Sequence, residues 1–478
     1  MLEYQASDRF ETLRAAHQRV GRRFVPTLMA QVEWPRTRLD RHRQDALRAL
    51  LIAALRGSAF HRDRLAGLDP TRFRLEDLPS LPTMTKADLN GNFDAVAADP
   101  RITRERCEDH LASGRVYLDN RFVVMASGGT SGVRAIAVSE WEEFARGWAS
   151  VMRGVMRWVT RTRAPHVPPA LVRVLLRGAL LIQRSPPPVA VIGASPGPHG
   201  SYFVGRIFGR GGADFSVADP LNEIVAGLNA TMPRMLICYA SFIPHLLEEA
   251  RAGRLRIRPM LLVAVAEPFL PEHEQAVAET WECSVMSSYA ATEVGPLGGG
   301  SGFDPGMLLN DDLAIVEPVD ASGQPVSPGR QADKLFVTPL YQRALPVIRY
   351  ELTDQLTVLD EPASCGSSFT RTSNVVGRLD DHFAYDGIAV HPHVFRTVLG
   401  RERAISEYQV AQTPHGAVIR IVALGHVDRS GLQQSLCEHL ARLGLQEPDI
   451  SVQQVASIER AKDSSKLKRF LPLSAAGL

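Results

Sequence analysis

Lysine is almost missing from this 478-residue chain: of 54 basic residues only five are lysines (Lys86, Lys334, Lys462, Lys466, Lys468), three of them in the last 17 positions. Cysteine is sparse as well. The five present (Cys107, Cys238, Cys283, Cys365, Cys437) form no Cys-x-x-Cys pair, so neither a zinc ribbon nor a disulfide framework is indicated, and a reducing cytoplasm is expected. Net charge is only +2, which offers no sign of the concentrated basic surface that nucleic acid requires. Long apolar runs are lacking too. The most apolar helix-like stretch, "LVRVLLRGALLIQR" (171–184), is broken by Arg173 and Arg177 and falls short of the ~20 residues of a membrane span, so it reads as an amphipathic helix. The opening "MLEYQASDRFETLR" has no apolar core of the kind a signal peptide needs. Repeats and low-complexity segments do not occur. The remaining expectation is a cytoplasmic protein whose length and 45% hydrophobic content suit two or three cored units.

The first hundred residues read as mostly helical, with "DALRALLIAALR" (45–56) placing Leu47, Leu50, Leu51 and Leu55 on one stripe. From 189 the texture changes. "VAVIG", "MLICY", "MLLVAVAE" and "SVMSSY" read as strands, and "FIPHLLEEARAGRL" and "PEHEQAVAETW" between them as helices, which predicts a parallel sheet covered on both faces. Ligands collect beyond the carboxyl ends of such strands. After the Gly-rich "GPLGGGSGFDPG" (295–306), "LAIVEPV", "DKLFVTPL" and "VIRYELTDQLTVL" suggest a second, mainly antiparallel sheet. Around "NVVGRLDD" (374–381) a third pattern begins: a hairpin "EYQVAQ"/"AVIRIVAL", a helix "GLQQSLCEHLARLGL" with Leu432, Leu436, Leu440 and Leu443 on one face, and a strand "ISVQQV". The predicted fold is therefore multi-domain, α/β and α+β: a large N-terminal unit over 1–376 and a small α+β unit over 377–478.

Several segments could carry chemistry. "MASGGTSGVR" (125–134) follows an apolar β-prone run, and Ser127, Gly128, Gly129, Thr130, Ser131 and Gly132 can present backbone N–H groups and hydroxyls to a polyanion. No Gly-Lys-Ser/Thr follows, so it is not a Walker A loop, and alone it reads equally as a turn. "GASPG" (193–197) fits the G-x-S-x-G pattern of a hydrolase, but Pro196 lacks the backbone N–H the oxyanion hole would need. "SSYAATEVGP" (287–296) puts Tyr289, Thr292 and Glu293 at a strand end: a ring that could stack on a base, a hydroxyl for phosphate, and a carboxylate for magnesium. A core tyrosine followed by a helix N-terminus explains the same residues. Asp354 and Arg378, with Asp380 and Asp381, suit ribose hydroxyls or ordinary turns. The tail "RAKDSSKLKRF" (460–470) concentrates lysine, whose compact ammonium reaches a single developing oxyanion as a point charge.

Taken together and in order, these segments resemble the adenylate-forming superfamily of acyl-CoA synthetases, in its phenylacetate-CoA ligase-like branch. "ASGGTSG" is similar to the phosphate loop, "AEPF" (266–269) to Gly-Glu-Pro, and "SYAATE" to Tyr-Gly-x-Thr/Ser-Glu. "LPVIRYELTD" is similar to Pro-x-x-Arg-Tyr-x-x-x-Asp, "GRLDD" with "DGIAVHP" to the hinge region, "SSKLKRF" to Gly-Lys-x-x-Arg, and "LPSLPTMTKADL" to the early Leu-Pro-x-x-Thr-Lys stretch. The resemblance implies a large domain with a small mobile lid and a two-step reaction, in which ATP and an acid give an acyl-adenylate and a nucleophile then displaces AMP. It implies that Ser127 through Gly132 hold the β- and γ-phosphates, that Tyr289 and Ala290 flank adenine, and that Glu267 belongs to the nucleotide site. Thr292 and Glu293 would bind phosphate and magnesium, Asp354 the ribose, and Arg378 the ribose or α-phosphate region. Lys466 would be the catalytic cation and Asp380 the hinge.

The chain departs from the pattern at Gly128 and Gly129, at the absent Pro-Lys after the loop, at Ala266 and Ala290 in place of glycines, and at Ser465, which leaves Lys462 and Lys468 as rivals of Lys466. Cys365 stands alone, so no zinc is expected. The leading expectation is an ATP- and magnesium-dependent ligase that joins a small aryl or unsaturated acid to coenzyme A. Transfer to an amine, nitrite activation for diazo or N–N bonds in secondary metabolism, and an inactive nucleotide-binding relative stay open, as does a homodimer. From position and polarity, Tyr202, Phe203, Tyr239 and Phe242 are expected to line the acid pocket. Neither a nucleic-acid nor a membrane partner is expected.

Overall fold

The computed structural model describes residues 8–127, 135–163, 188–193, 200–208, 213–217, 219–378, 381–385, 388–390, 392–399, 402, 404–423, 425–460 and 467–473. The helix read over 171–184, the serine of "GASPG", the loop residues Gly128, Gly129, Thr130, Ser131 and Gly132, and also Asp380, Lys462 and Lys466 lie outside the described residues.

The lead-in is helical: among the described residues Asp8–Gln31, Arg36–Gly57, four shorter α-helices and one 3-10 helix precede the first strand. The leucine stripe does what its spacing predicts. Leu47, Leu50 and Leu51 pack against Ile315, Leu340 and Ile348 of the later sheet, with Leu55 partly buried beside them, so the lead-in shares a core with residues about 300 positions away. A second tie is polar: Met84 donates to the Arg349 carbonyl (3.0 Å), and Glu351 donates to that of Met84 (2.8 Å).

The central element is an eight-stranded mixed sheet. Val189–Gly193, Met235–Tyr239, Leu261–Val265 and the first half of Ser284–Ala291 run parallel, as the buried apolar runs predict, and Ala213–Ser216, which sequence reasoning missed, adds a parallel edge strand. The far half of Ser284–Ala291 turns antiparallel against Gly295–Gly299, and Met307–Leu309 and Arg371–Thr372 complete that edge. The Gly-rich stretch is thus a strand in part. At Gly298 a Cβ would lie 2.7 Å from the Leu308 carbonyl oxygen, so a side chain would force the two strands apart. The alternative of a helix N-terminus after Tyr289 is overturned: Thr292 and Glu293 occupy a turn between two strands.

Ala314–Val319, Lys334–Pro339 and Tyr350–Leu352 form the predicted antiparallel sheet. In the tail, Ile405–Thr413 and Gly416–Ala423 form the hairpin, Asp449–Gln454 and Phe470–Leu471 flank it, and Arg429–Arg442 is the helix. Its core, from Phe383 to Phe470, is drawn wholly from this part of the chain. Leu432, Leu436 and Leu440 are buried there, whereas Leu443 caps the helix and is 45% exposed, because the apolar stripe ends where the helix does.

Candidate active site

Ser127 stands at the neck of the glycine loop. The loop joins two antiparallel strands, Phe122–Ala126 and Ile136–Glu140, and Ser127 closes it twice: its N–H donates to the Ala135 carbonyl (2.8 Å), and its Oγ accepts from the Ala135 N–H (3.0 Å). The ends of the loop are therefore held to within a single residue pair.

At the carboxyl end of the central sheet, Tyr289 is buried, and its hydroxyl donates to Asp354 Oδ2 at 3.0 Å. Burial, reinforced by the Asp354 carboxylate, pushes the phenol well above its ordinary value, so it remains a donor. The other oxygen, Asp354 Oδ1, accepts from Arg378 Nε at 3.0 Å, and the two residues are direct antiparallel partners. Asp354 is buried while the Arg378 side chain is half-exposed, so the carboxylate is anchored from below and the guanidinium faces outward. Each carboxylate oxygen keeps a second lone pair for a further donor. A register shift between Tyr289 and Ala290 leaves Ala290 exposed next to this cluster. Glu293 Oε1 accepts a long 3.5 Å bond from the Tyr350 hydroxyl, and Thr292 beside it is half-buried. Strand pairing thus brings Tyr289, Asp354 and Arg378 together, with Thr292 and Glu293 in the adjoining turn.

Glu267 follows the neighbouring strand Leu261–Val265 and joins two distant segments. Oε2 accepts the Ser241 N–H (2.8 Å) and Oε1 the Leu467 N–H (3.1 Å). Leu467 is the residue after Lys466, so the described end of the lysine tail is fixed at the carboxyl end of the sheet. Ala266 beside it has φ +70°, a left-handed conformation suited to the glycine it replaces.

Sequence reasoning missed a second link between the same regions. Arg460 Nη1 donates to Ser241 Oγ (3.0 Å), and Arg460 also pairs with Glu407, which lies 3.1 Å from His245 Nε2. Burial alone would raise the Glu407 carboxyl, but the His245 hydrogen bond and the Arg460 and Arg469 charges hold it below the ordinary carboxylate range. Arg349 was missed as well. It grips Glu317 with two 3.0 Å bonds and donates to the carbonyls of Pro79 and Leu81, which ties the early Leu-Pro stretch to the Arg-Tyr strand. Arg349 stands in the Arg-Tyr segment with no structural role assigned to it, and no local signal marks Arg460 in so arginine-rich a chain.

Of the residues expected to line an acid pocket, Tyr239 and Phe242 are buried in the core beneath the parallel strands, and Phe203 packs with Tyr202 partly buried against Phe10 and Val123. One cleft among the described residues lies elsewhere. It encloses about 50 Å3, and about 600 Å3 with the open solvent at its mouth, between the Trp141–Arg163 helix and the Ser284–Ala291 and Gly295–Gly299 strands. Among the described residues no three His, Cys, Asp or Glu side chains gather as a metal site, and no helix is long and apolar enough to cross a membrane.

No family model matches the chain. The phenylacetate-coenzyme A ligase of Thermus thermophilus is 24% identical to it over 412 residues, 80% of either chain. A 2-hydroxyisobutyryl-CoA ligase in the postadenylation state superposes with a TM-score of 0.67 at 17% identity, covering 92% of this chain and 90% of the other. The same ligase in the thioesterification state gives 0.55 at 18% identity, covering 92% and 91%. In sequence and in fold, then, this chain is similar to the adenylate-forming enzymes, in their phenylacetate-CoA ligase-like branch.

Proposed function

We propose that the chain is an AMP-forming ligase that activates a small aryl or unsaturated carboxylic acid with ATP and passes the acyl group to coenzyme A. The observation that carries this reading is the convergence at one sheet end: Asp354 couples Tyr289 to Arg378, while Glu267, just beyond the adjacent strand, holds the amide of Leu467. Adenine would lie against Tyr289 and the exposed Ala290, with the ribose hydroxyls donating to the spare lone pairs of Asp354. The loop from Ser127 to Gly132 would take the β- and γ-phosphates.

Glu293 suits a magnesium ion: its carboxylate stands in a turn with a single long bond from Tyr350, beside the Thr292 hydroxyl. Bound there with ATP, the ion would neutralise phosphate charge. A carboxylate oxygen of the acid attacks the α-phosphorus, the new O–P bond forms, the bond to the β-phosphate oxygen breaks, and pyrophosphate leaves. Lys466 supplies a fixed cation to the charge that develops. The thiolate of coenzyme A then attacks the acyl carbon and AMP departs. Between the steps the 377–478 unit, which has its own core, rotates about Asp380 and withdraws Lys466.

The test is pyrophosphate exchange into ATP over a panel of acids that includes nitrite. Exchange with a carboxylic acid, and AMP release that depends on coenzyme A, are expected. AMP release that depends on an added amine instead would transfer the acceptor role, and no exchange by a protein that binds ATP would overturn adenylation. Lys466→Ala should abolish exchange with ATP binding kept; loss only in Lys462→Ala or Lys468→Ala would reassign the lysine.

A further inference from the structure

The cleft beside the Tyr289 strand has a composition that the reaction above leaves unexplained. Part of its wall is apolar, from Val155, Val263 and Met286; part is polar, from Ser287, Ser288 and glycine backbone. No aspartate or glutamate lines it, yet two arginines do. One is accounted for: Arg153 is buried and bonds Asp312 at 2.6 and 3.1 Å and Asn310 at 2.6 Å. The other, Arg157, stands four residues on along the same helix and so on the same face. Its carbonyl accepts from the Thr160 hydroxyl, but its guanidinium has neither a hydrogen-bond nor an ion-pair partner among the described residues.

A partly buried guanidinium lining a cleft, with no counter-charge among the described residues, gains from an incoming anion that pairs with it. Its planar fork matches a carboxylate with two parallel hydrogen bonds. Position supplies the rest. Ser287 and Ser288 immediately precede Tyr289, so the cleft runs along the strand that leads to the nucleotide cluster.

We propose that Arg157 is the specificity-determining residue of the ligase, and that the acid it activates carries a second carboxylate, distal to the one adenylated, which Arg157 binds in this cleft. The proposal rests on the adenylation reading above. It narrows the aryl or unsaturated acid to one with anionic groups at both ends. The two carboxylates have different fates: the one nearest Thr292 and Glu293 becomes the mixed anhydride with AMP, and the one on Arg157 stays unreacted as a handle. Ser287 and Ser288 add hydroxyls along the path, a lining better suited to a polar acid than to an unsubstituted aryl tail.

Pyrophosphate exchange with matched acids provides the test: benzoate against terephthalate, cinnamate against 4-carboxycinnamate, hexanoate against adipate. The diacid of at least one pair is expected to show a KM ten- to a hundredfold lower than its partner. Arg157→Gln should erase that preference by raising the diacid KM with kcat largely kept, and Arg157→Lys should restore part of it. Ser288→Asp, which puts a negative charge into the same cleft, should reject the diacid, and thermal melts of each variant report that it is folded. Exchange in which the monoacid equals or beats the diacid, unaltered by Arg157→Gln, would overturn the proposal and leave adenylation standing. So would an Arg157→Gln protein with normal exchange but a raised KM for coenzyme A, since the anion would then be a coenzyme phosphate. No exchange with any acid would remove both readings.

Discussion

Ala266 sits in backbone space that an L-residue enters at a cost of about 1–2 kcal/mol, directly before the glutamate that holds the tail. Glycine would relieve that strain and lose some of the gain to chain entropy, so Ala266→Gly should stabilise the protein by about 0.5–1 kcal/mol, seen as a higher denaturant midpoint. Asp354 is different, because its importance lies in the ligand. Asp354→Asn keeps the shape but loses the charge that two ribose hydroxyls and Arg378 would share, and ATP KM in pyrophosphate exchange should rise ten- to a hundredfold. Tyr289, Thr292 and Glu293 could be picked out from sequence because they lie within five positions of one another. The partnership of Asp354 with Arg378 could not, since it is set by strand register across 24 positions.

Among the elements, the Trp141–Arg163 helix depends on one buried charge. Arg153 fastens it to Asn310 and Asp312, and Asp312 is fully buried, so Arg153→Ala would strand a carboxylate in the core. A loss of about 3–5 kcal/mol in unfolding free energy is expected, against a much smaller loss for Arg153→Met combined with Asp312→Leu. Four of the five parallel strands of the central sheet were legible because they are continuous apolar runs; Ala213–Ser216, a short and partly polar edge strand, was not. The antiparallel edge was not: Gly295–Gly299 holds few side chains, and its register depends on close backbone approach rather than on any apolar pattern. The cleft escaped notice for a related reason. Arg157 lies on a helix rich in arginine, and only the absence of a partner for its guanidinium among the described residues distinguishes it from Arg153.

For the molecule as a whole, buried histidines set the acid limit. Burial lowers His17 and His61 to about 4 and His273 to about 3, from 6.5, so below pH 6.5 the unfolded chain takes up protons that the native state refuses. Stability therefore falls as pH drops from about 6.5 to about 4. Glu143 acts in the opposite sense: burial raises it from 4.5 to about 7, so the native state binds its proton more tightly across most of that window. Buried His110 and half-buried His382 act with these histidines, and the raised Asp214, Glu274, Asp311 and Glu317 act with Glu143; the large histidine shifts predict a lower melting temperature at about pH 5 than at about pH 6.5. The separate core of the tail was legible as a change of texture near 377, but the contacts of Arg460 with Glu407 and Ser241 were not, because they join residues far apart in sequence. The Leu467 amide has a consequence of its own. Its proton is shielded while the tail rests on Glu267, so its exchange with deuterated solvent reports how often that contact opens. On the lid motion proposed above, that amide becomes a clock for the cycle: ATP with a substrate acid should slow it, and Glu267→Ala should let it run fast even in their presence.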